Sequence, residues 1–300
     1  MLSVGGPRSK EAFLRKPWKE AGLGLLNLLA FVAAIAVVQF LLGHRVSRGV
    51  RSAVVVLVCL AAYLAASKWI ERRRPSEFDI GRALPELSGG LVLGIVLFTV
   101  VMGLLWACRV YRPAGFDPRA PLASGLLGAM VAGIVEEILF RGLLFRLSSK
   151  IVGTWGALLF TAGLFGVAHA FNPGATVNSS LAIALEAGIL LGAAYATTAR
   201  LWLPIGLHIG WNFTEGSLFG MSVSGFGLSG GLVRGALSGP PTLTGGEFGP
   251  EASLIAVLVC LAAALYFIRR MVKLDLGQPP VWSNSPEPST GAAAGLRHAG

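Results

Sequence analysis

The length of its apolar runs limits this chain more than any other feature. Eight blocks can be drawn, each near the ~20 residues that a membrane-spanning helix needs. They run Ala21–Leu42, Ala53–Ile70, Leu87–Cys108, Leu122–Leu144, Trp155–Phe171, Leu181–Thr198, Leu201–Phe219 and Ala252–Ile268. A soluble helix alternates polar and apolar faces, whereas these blocks are long and almost uninterrupted. Composition agrees. Only 13% of the 300 residues are charged, against about 25% in a soluble domain, which is too few to cover a water-facing surface. The expected fold is all-α, a polytopic transmembrane helical bundle of about eight spanning helices.

The formal net charge is +10, and the basic residues cluster between the blocks. Arg8, Lys10, Arg15, Lys16 and Lys19 precede the first. Lys68 closes the second and Arg72, Arg73, Arg74 and Arg82 follow it, Arg146 and Lys150 follow the fourth, Arg200 the sixth, and Arg269, Arg270 and Lys273 the eighth. Such clusters fix topology, and these fall on one side if both termini are cytoplasmic; Arg45, Arg48 and Arg51 run against that sense. The charge is read as topology plus attraction to anionic lipid headgroups, with no nucleic-acid partner and a plasma-membrane location expected. Cys59, Cys108 and Cys260 lie far apart and read as small buried hydrophobes.

This patterning divides the chain into a basic N-terminal segment (1–20), N-terminal transmembrane helices (21–120), a central helical core (121–220), a Gly/Ser/Pro-rich outer loop (221–250), a last transmembrane helix (251–274) and a disordered tail (275–300).

Ionisable residues inside spanning segments need a partner or a task. The blocks contain Glu136, Glu137, Arg141, His169, Glu186, His208 and Glu215, with Asn212 as a further polar group. Glu137 and Arg141 are four apart and can pair on one helix face, while Glu136 is rotated about 100° away and stays free. A free carboxylate in a low-dielectric site suits a general base. His208 and Asn212 are again four apart, and His169 lies late in its block with Phe165 one turn earlier. Taken together, Glu136 can deprotonate a water, His169 can orient it, and His208 with Asn212 can donate to a developing oxyanion. His169 falls nearer the outer end of its block than Glu136 or His208, so one helix must shift or tilt. Glu186 and Glu215 read as hydrogen-bonded structural carboxylates.

Three motifs thus occur in order on separate blocks: Glu136-Glu137-x-x-x-Arg141, Phe165-x-x-x-His169 and His208-x-x-x-Asn212. Over roughly Leu122–Gly220 this set resembles the CPBP family of intramembrane proteases, which includes the Rce1-type CAAX endopeptidases. The resemblance implies an endopeptidase acting on membrane-associated protein or peptide substrates. Glu136 and His169 would activate water, His208 and Asn212 would form the oxyanion site, and Glu137 and Arg141 would support them. The family has often been labelled metalloprotease, and Glu136, His169 and His208 could bind zinc; with no His-Glu-x-x-His present, no cofactor is expected. The rhomboid-like Gly227-Leu228-Ser229-Gly230 has no intramembrane histidine after it. A non-catalytic scaffold or a transporter-like protein is the alternative from another class, and no internal repeat supports the transporter.

Overall fold

A computed structural model describes residues 8–43, 46–227 and 230–283. Residues 1–7 of the basic segment, Ser229, and the tail from 284 onward fall outside the described residues. Helix α1 (Arg8–Leu42) pairs with α2 (Arg48–Trp69), which starts where Ser47 caps it by accepting from the Val50 N–H. Phe31, Val38, Val55, Cys59 and Tyr63 fill the seam between them. Helix α3 (Ala83–Ala107) leads into β1 (Tyr111–Phe116). Helix α4 (Leu122–Glu137) passes through a π-helical turn (Ile138–Phe145) into α5 (Arg146–His169). Helix α6 (Val177–Ile183) passes through a second π turn (Ala184–Gly188) into α7 (Ile189–Thr198), and α8 (Trp202–Phe213) ends in a third (Thr214–Leu218). Strand β2 (Val233–Leu237), the short α9 (Pro241–Thr244) and α10 (Leu254–Lys273) complete the described chain.

Among the described residues the bundle is all-α apart from one antiparallel ribbon, β1 with β2, in which Tyr111 lies opposite Leu237 and Phe116 opposite Val233. Among the described residues six stretches are long and apolar enough to cross a membrane: Trp18–Leu42, Gly49–Trp69, Ser76–Ala107, Leu122–His169, Val177–Thr198 and Leu254–Lys273. The fourth is 48 residues long, roughly 70 Å of helix, far beyond the ~30 Å hydrocarbon core. It is broken at Gly153, where φ is 73° and ψ 174°, a left-handed φ that glycine adopts without a Cβ penalty. A Cβ there would also meet the Gln278 carbonyl at 2.7 Å. Leu25, Leu29, Leu57, Val92, Val96, Leu159 and Leu258 are exposed. So broad an apolar surface would drive aggregation in water and is natural against lipid.

What holds α8 in place is backbone contact with α3. Gly90 and Gly94 face Gly206 and Gly210, so that a Cβ on any of the four would come within 2.2–2.3 Å of a carbonyl oxygen across the crossing. Small residues four apart let two membrane helices approach this closely. Phe98 then stacks edge-on against Trp211, with centroids 4.9 Å apart. Helix α10 closes the other side of α3 and α7 through Ala256, Cys260 and Ala264.

Candidate active site

The two arms around Gly153 set the depth of the site. Glu136 lies about 17 residues before the break and His169 about 16 after it, so each is roughly 25 Å of helix from the reversal. The chain doubles back and brings them level, with His169 Nε2 3.9 Å from Glu136 Oε2. Phe140 and Phe165, also nearly equidistant from Gly153, stack edge-on with centroids 4.8 Å apart. The expected mismatch in depth is resolved here: the helix of the fourth block runs on past Leu144 to Val152 before it turns.

His208 enters from α8, fixed by the glycine crossing on either side of it. Its Nε2 is 4.0 Å from the same Glu136 oxygen. Both separations are too long for direct hydrogen bonds and suit groups that share a third atom between them. Each histidine is oriented by its other nitrogen. His169 Nδ1 lies 2.8 Å from the Phe165 carbonyl, which can only accept, so Nδ1 carries the proton. His208 Nδ1 lies 3.0 Å from Glu137 Oε1, and that carboxylate also accepts from Arg141 Nη1 at 2.8 Å.

Glu137 and Arg141 form the anticipated pair inside a buried hub, although Arg141 lies on a π turn and not on a regular α-helix. Arg141 is 1% exposed. Its Nη2 donates to the Ala187 and Gly188 carbonyls at 3.0 and 3.2 Å, and its guanidinium lies 4.8 Å from the Phe165 ring centroid. Three helical segments are tied through one side chain. Glu136, one residue earlier, stays out of this hub, and its Oε2 is buried without a hydrogen-bond partner.

Glu136, His169, His208 and Asn212 all line one open cavity of about 470 Å³, together with Ser124, Gly128 and Ala132 of α4 and with Leu139, Phe140, Val223 and Phe226. The turn Val223–Phe226 is held over it: Asn172 Nδ2 donates to the Ser224 carbonyl at 3.0 Å, and the Ser224 N–H donates to Glu251 Oε1 at 2.5 Å.

Glu186 and Glu215 do not enter this cavity. Glu186 lines a much smaller neighbouring cavity of about 20 Å³ together with Glu251, His169, His208 and Trp211. Glu215 accepts from the Glu251 N–H at 3.3 Å. Glu251 is the participant that sequence reading missed. It stands at the junction of loop and last helix, where a charged residue carries no signal, and yet it is 2% exposed.

Zinc matches these donors in kind, since each histidine has its second nitrogen fixed, as ligating histidines do. The spacing is less suitable. Two ligands of one tetrahedral zinc lie about 3.3 Å apart, and among the described residues no three His, Cys, Asp or Glu side chains sit closely enough to hold a metal.

Fold and site together define a class, a multi-pass helical membrane protein with an open cavity, mostly apolar but carrying a few convergent polar side chains, built on its central helices. The central region is more specific. Residues 118–214 match the family model described as Type II CAAX prenyl endopeptidase Rce1-like, a span that contains Glu136, Glu137, Arg141, His169, His208 and Asn212. No curated protein and no solved structure matches the chain.

Proposed function

We propose that this protein is an intramembrane endopeptidase that hydrolyses peptide bonds of membrane-associated substrates, with Glu136 as general base. The observation that carries the reading is the convergence of His169 and His208 on one unpaired oxygen of Glu136, from three helices, at the wall of an open cavity. Glu136 takes a proton from a water that His169 helps to hold; His169, with Nδ1–H given to Phe165, presents its Nε2 lone pair. The hydroxide attacks the scissile carbonyl. His208 has given Nδ1–H to Glu137, so it donates from Nε2 only as the imidazolium, which Glu137 stabilises in the manner of a triad carboxylate. That donor and the Asn212 carboxamide serve the oxyanion. The proton on Glu136 then passes to the leaving amine and the carboxylate is restored.

The central core 121–220 carries this chemistry. The remaining helices are read as its buttress, in a bundle of eight crossings with both termini cytoplasmic. Gly153 divides Leu122–His169 into two of those crossings, and Trp202–Leu218 adds another.

The test is cleavage of a fluorogenic peptide library by purified protein, wild type against Glu136→Gln, each with and without a zinc chelator. The expected result is turnover that survives chelation and falls by about 10²- to 10⁴-fold in the variant. Normal turnover by Glu136→Gln would remove the base assignment, loss on chelation would point to a metal held by Glu136, His169 and His208, and a wild type inert on every membrane-associated substrate would favour the scaffold.

A further inference from the structure

One wall of the 470 Å³ cavity is a single face of α4. Ser124, Gly128, Ala132 and Glu136 are spaced four apart, so they stack in one row along the helix, and all four line the cavity. Two glycines in this helix play different parts. A Cβ on Gly125 would meet Ser217 Oγ at 1.8 Å, so Gly125 is required by packing against the turn after α8. A Cβ on Gly128 would meet no described atom within 4 Å. Glycine weakens a helix relative to alanine, and at Gly128 no contact within the fold offsets that cost. Gly89, Gly103 and Gly163 also face open space, but none of them lines the cavity. Glu136 is the one carboxylate in the lining, and no Lys or Arg belongs to it.

Resting on the protease reading, we propose that this face of α4 is the track along which an extended, uncharged substrate segment lies, and that Gly128 determines specificity by leaving room for a bulky apolar side chain. The distances set the register. Gly128 is about 12 Å along the helix from Glu136 and Ala132 about 6 Å. An extended peptide advances about 3.3 Å per residue. Ala132 therefore faces the substrate residue roughly two positions from the scissile bond, and Gly128 the one roughly three to four positions away. An acidic residue lying along the track short of the histidines would meet the Glu136 carboxylate and no Lys or Arg, which disfavours acidic segments.

The experiment uses the full chain in detergent and a fluorogenic peptide series in which one Phe is walked through an otherwise small, uncharged sequence on both sides of the cleaved bond. Wild type, Gly128→Leu and Gly163→Leu are compared by kcat/KM and by thermal unfolding. Expected is an unchanged Tm for Gly128→Leu and, relative to the all-small peptide cleaved by the same variant, at least a tenfold loss of kcat/KM confined to peptides whose Phe sits three to four residues from the bond. Gly163→Leu should leave selectivity unaltered. A cleaving wild type with the same Phe profile in Gly128→Leu overturns the track and leaves the protease reading standing. A loss spread evenly over all positions, or one shared by Gly163→Leu, overturns it equally. A wild type that cleaves no peptide in the series removes the protease reading itself, and the track with it.

Discussion

Arg141 has almost no contact with solvent, and its fork of donors spans Glu137 and two carbonyls of the second π turn. Removing one partner of a buried pair costs about 3–5 kcal/mol, since the other charge is left stranded. Arg141→Lys keeps the charge but cannot reproduce the fork or the stacking on Phe165. It should lower the Tm in detergent nearly as much as Arg141→Ala; an unchanged Tm for the lysine variant would reduce the hub to a simple point charge. Glu137→Gln separates two duties. If Glu137 only neutralises Arg141, stability falls and the surviving folded protein turns over normally. If it also stabilises the His208 imidazolium, kcat should fall by about two orders of magnitude in protein that remains folded, with KM little changed. At this scale much was legible. The pairing of Glu137 with Arg141 and the freedom of Glu136 follow from helical spacing, because both are local. The bond from His208 to Glu137 and the burial of Glu251 join residues far apart in sequence, and no spacing rule reaches them.

The α3–α8 crossing is the element that the chemistry depends on most, since it places His208 between two backbone contacts. Gly94→Ala or Gly210→Ala would force a methyl group to within about 2.2 Å of a carbonyl oxygen on the facing helix. Neither helix can yield without moving His208, and overpacking of this kind costs about 1–3 kcal/mol. Each variant should lower the Tm and slow turnover together, while Gly103→Ala, which meets open space in the same helix, should match or exceed the wild-type Tm. Equal stability of Gly94→Ala and Gly103→Ala would show that the helices are not in contact there. The signal was present in the sequence as Gly90-x-x-x-Gly94 and Gly206-x-x-x-Gly210, a spacing that marks close helix approach. The long apolar helices were readable because a bilayer demands long apolar runs. The Gly153 reversal lies between two blocks whose ends hydropathy cannot fix, and the three π turns leave no hydropathy trace. Nor does the β1–β2 ribbon, built from two short segments each broken by a glycine, one of them also by a proline.

Across the whole molecule, one end of the bundle is stitched by charge. Glu20 pairs with Lys150 at 2.6 Å, and Arg200 pairs with Glu86. Glu71 accepts from Asn27 of α1 and pairs with Arg73 at 2.9 Å and Arg146 at 2.8 Å. Arg73 also pairs with Glu77 at 2.8 Å, whose carbonyl accepts from the Leu201 N–H before α8. The C-terminal stretch reaches the same end, where the Gln278 carbonyl accepts from the Thr154 N–H at 2.9 Å. Arg73, Arg146, Lys150 and Arg200 of the basic loops are thus each held by a carboxylate. Burial acts to raise the Glu71 pKa, but Arg146, Asn27 and Arg73 outweigh it and hold the carboxyl below the usual carboxylate range. A depressed folded-state pKa gives stability that is complete above the unfolded value, ~4.3, and is lost as pH falls through the folded one. The Tm in detergent should therefore hold steady from neutral pH to about 5 and decline below it as Glu71 takes up its proton. Glu71→Gln cannot ionise, so it should start from a lower Tm at pH 7 and show a shallower decline, because Arg146 is left with a single carboxylate contact, to Glu77 at 3.4 Å, beside its bond to the Gly142 carbonyl. Parallel Tm–pH curves for the two proteins would mean that the network contributes nothing that depends on its charge, and that α1 and α2 are joined to the core by apolar packing alone.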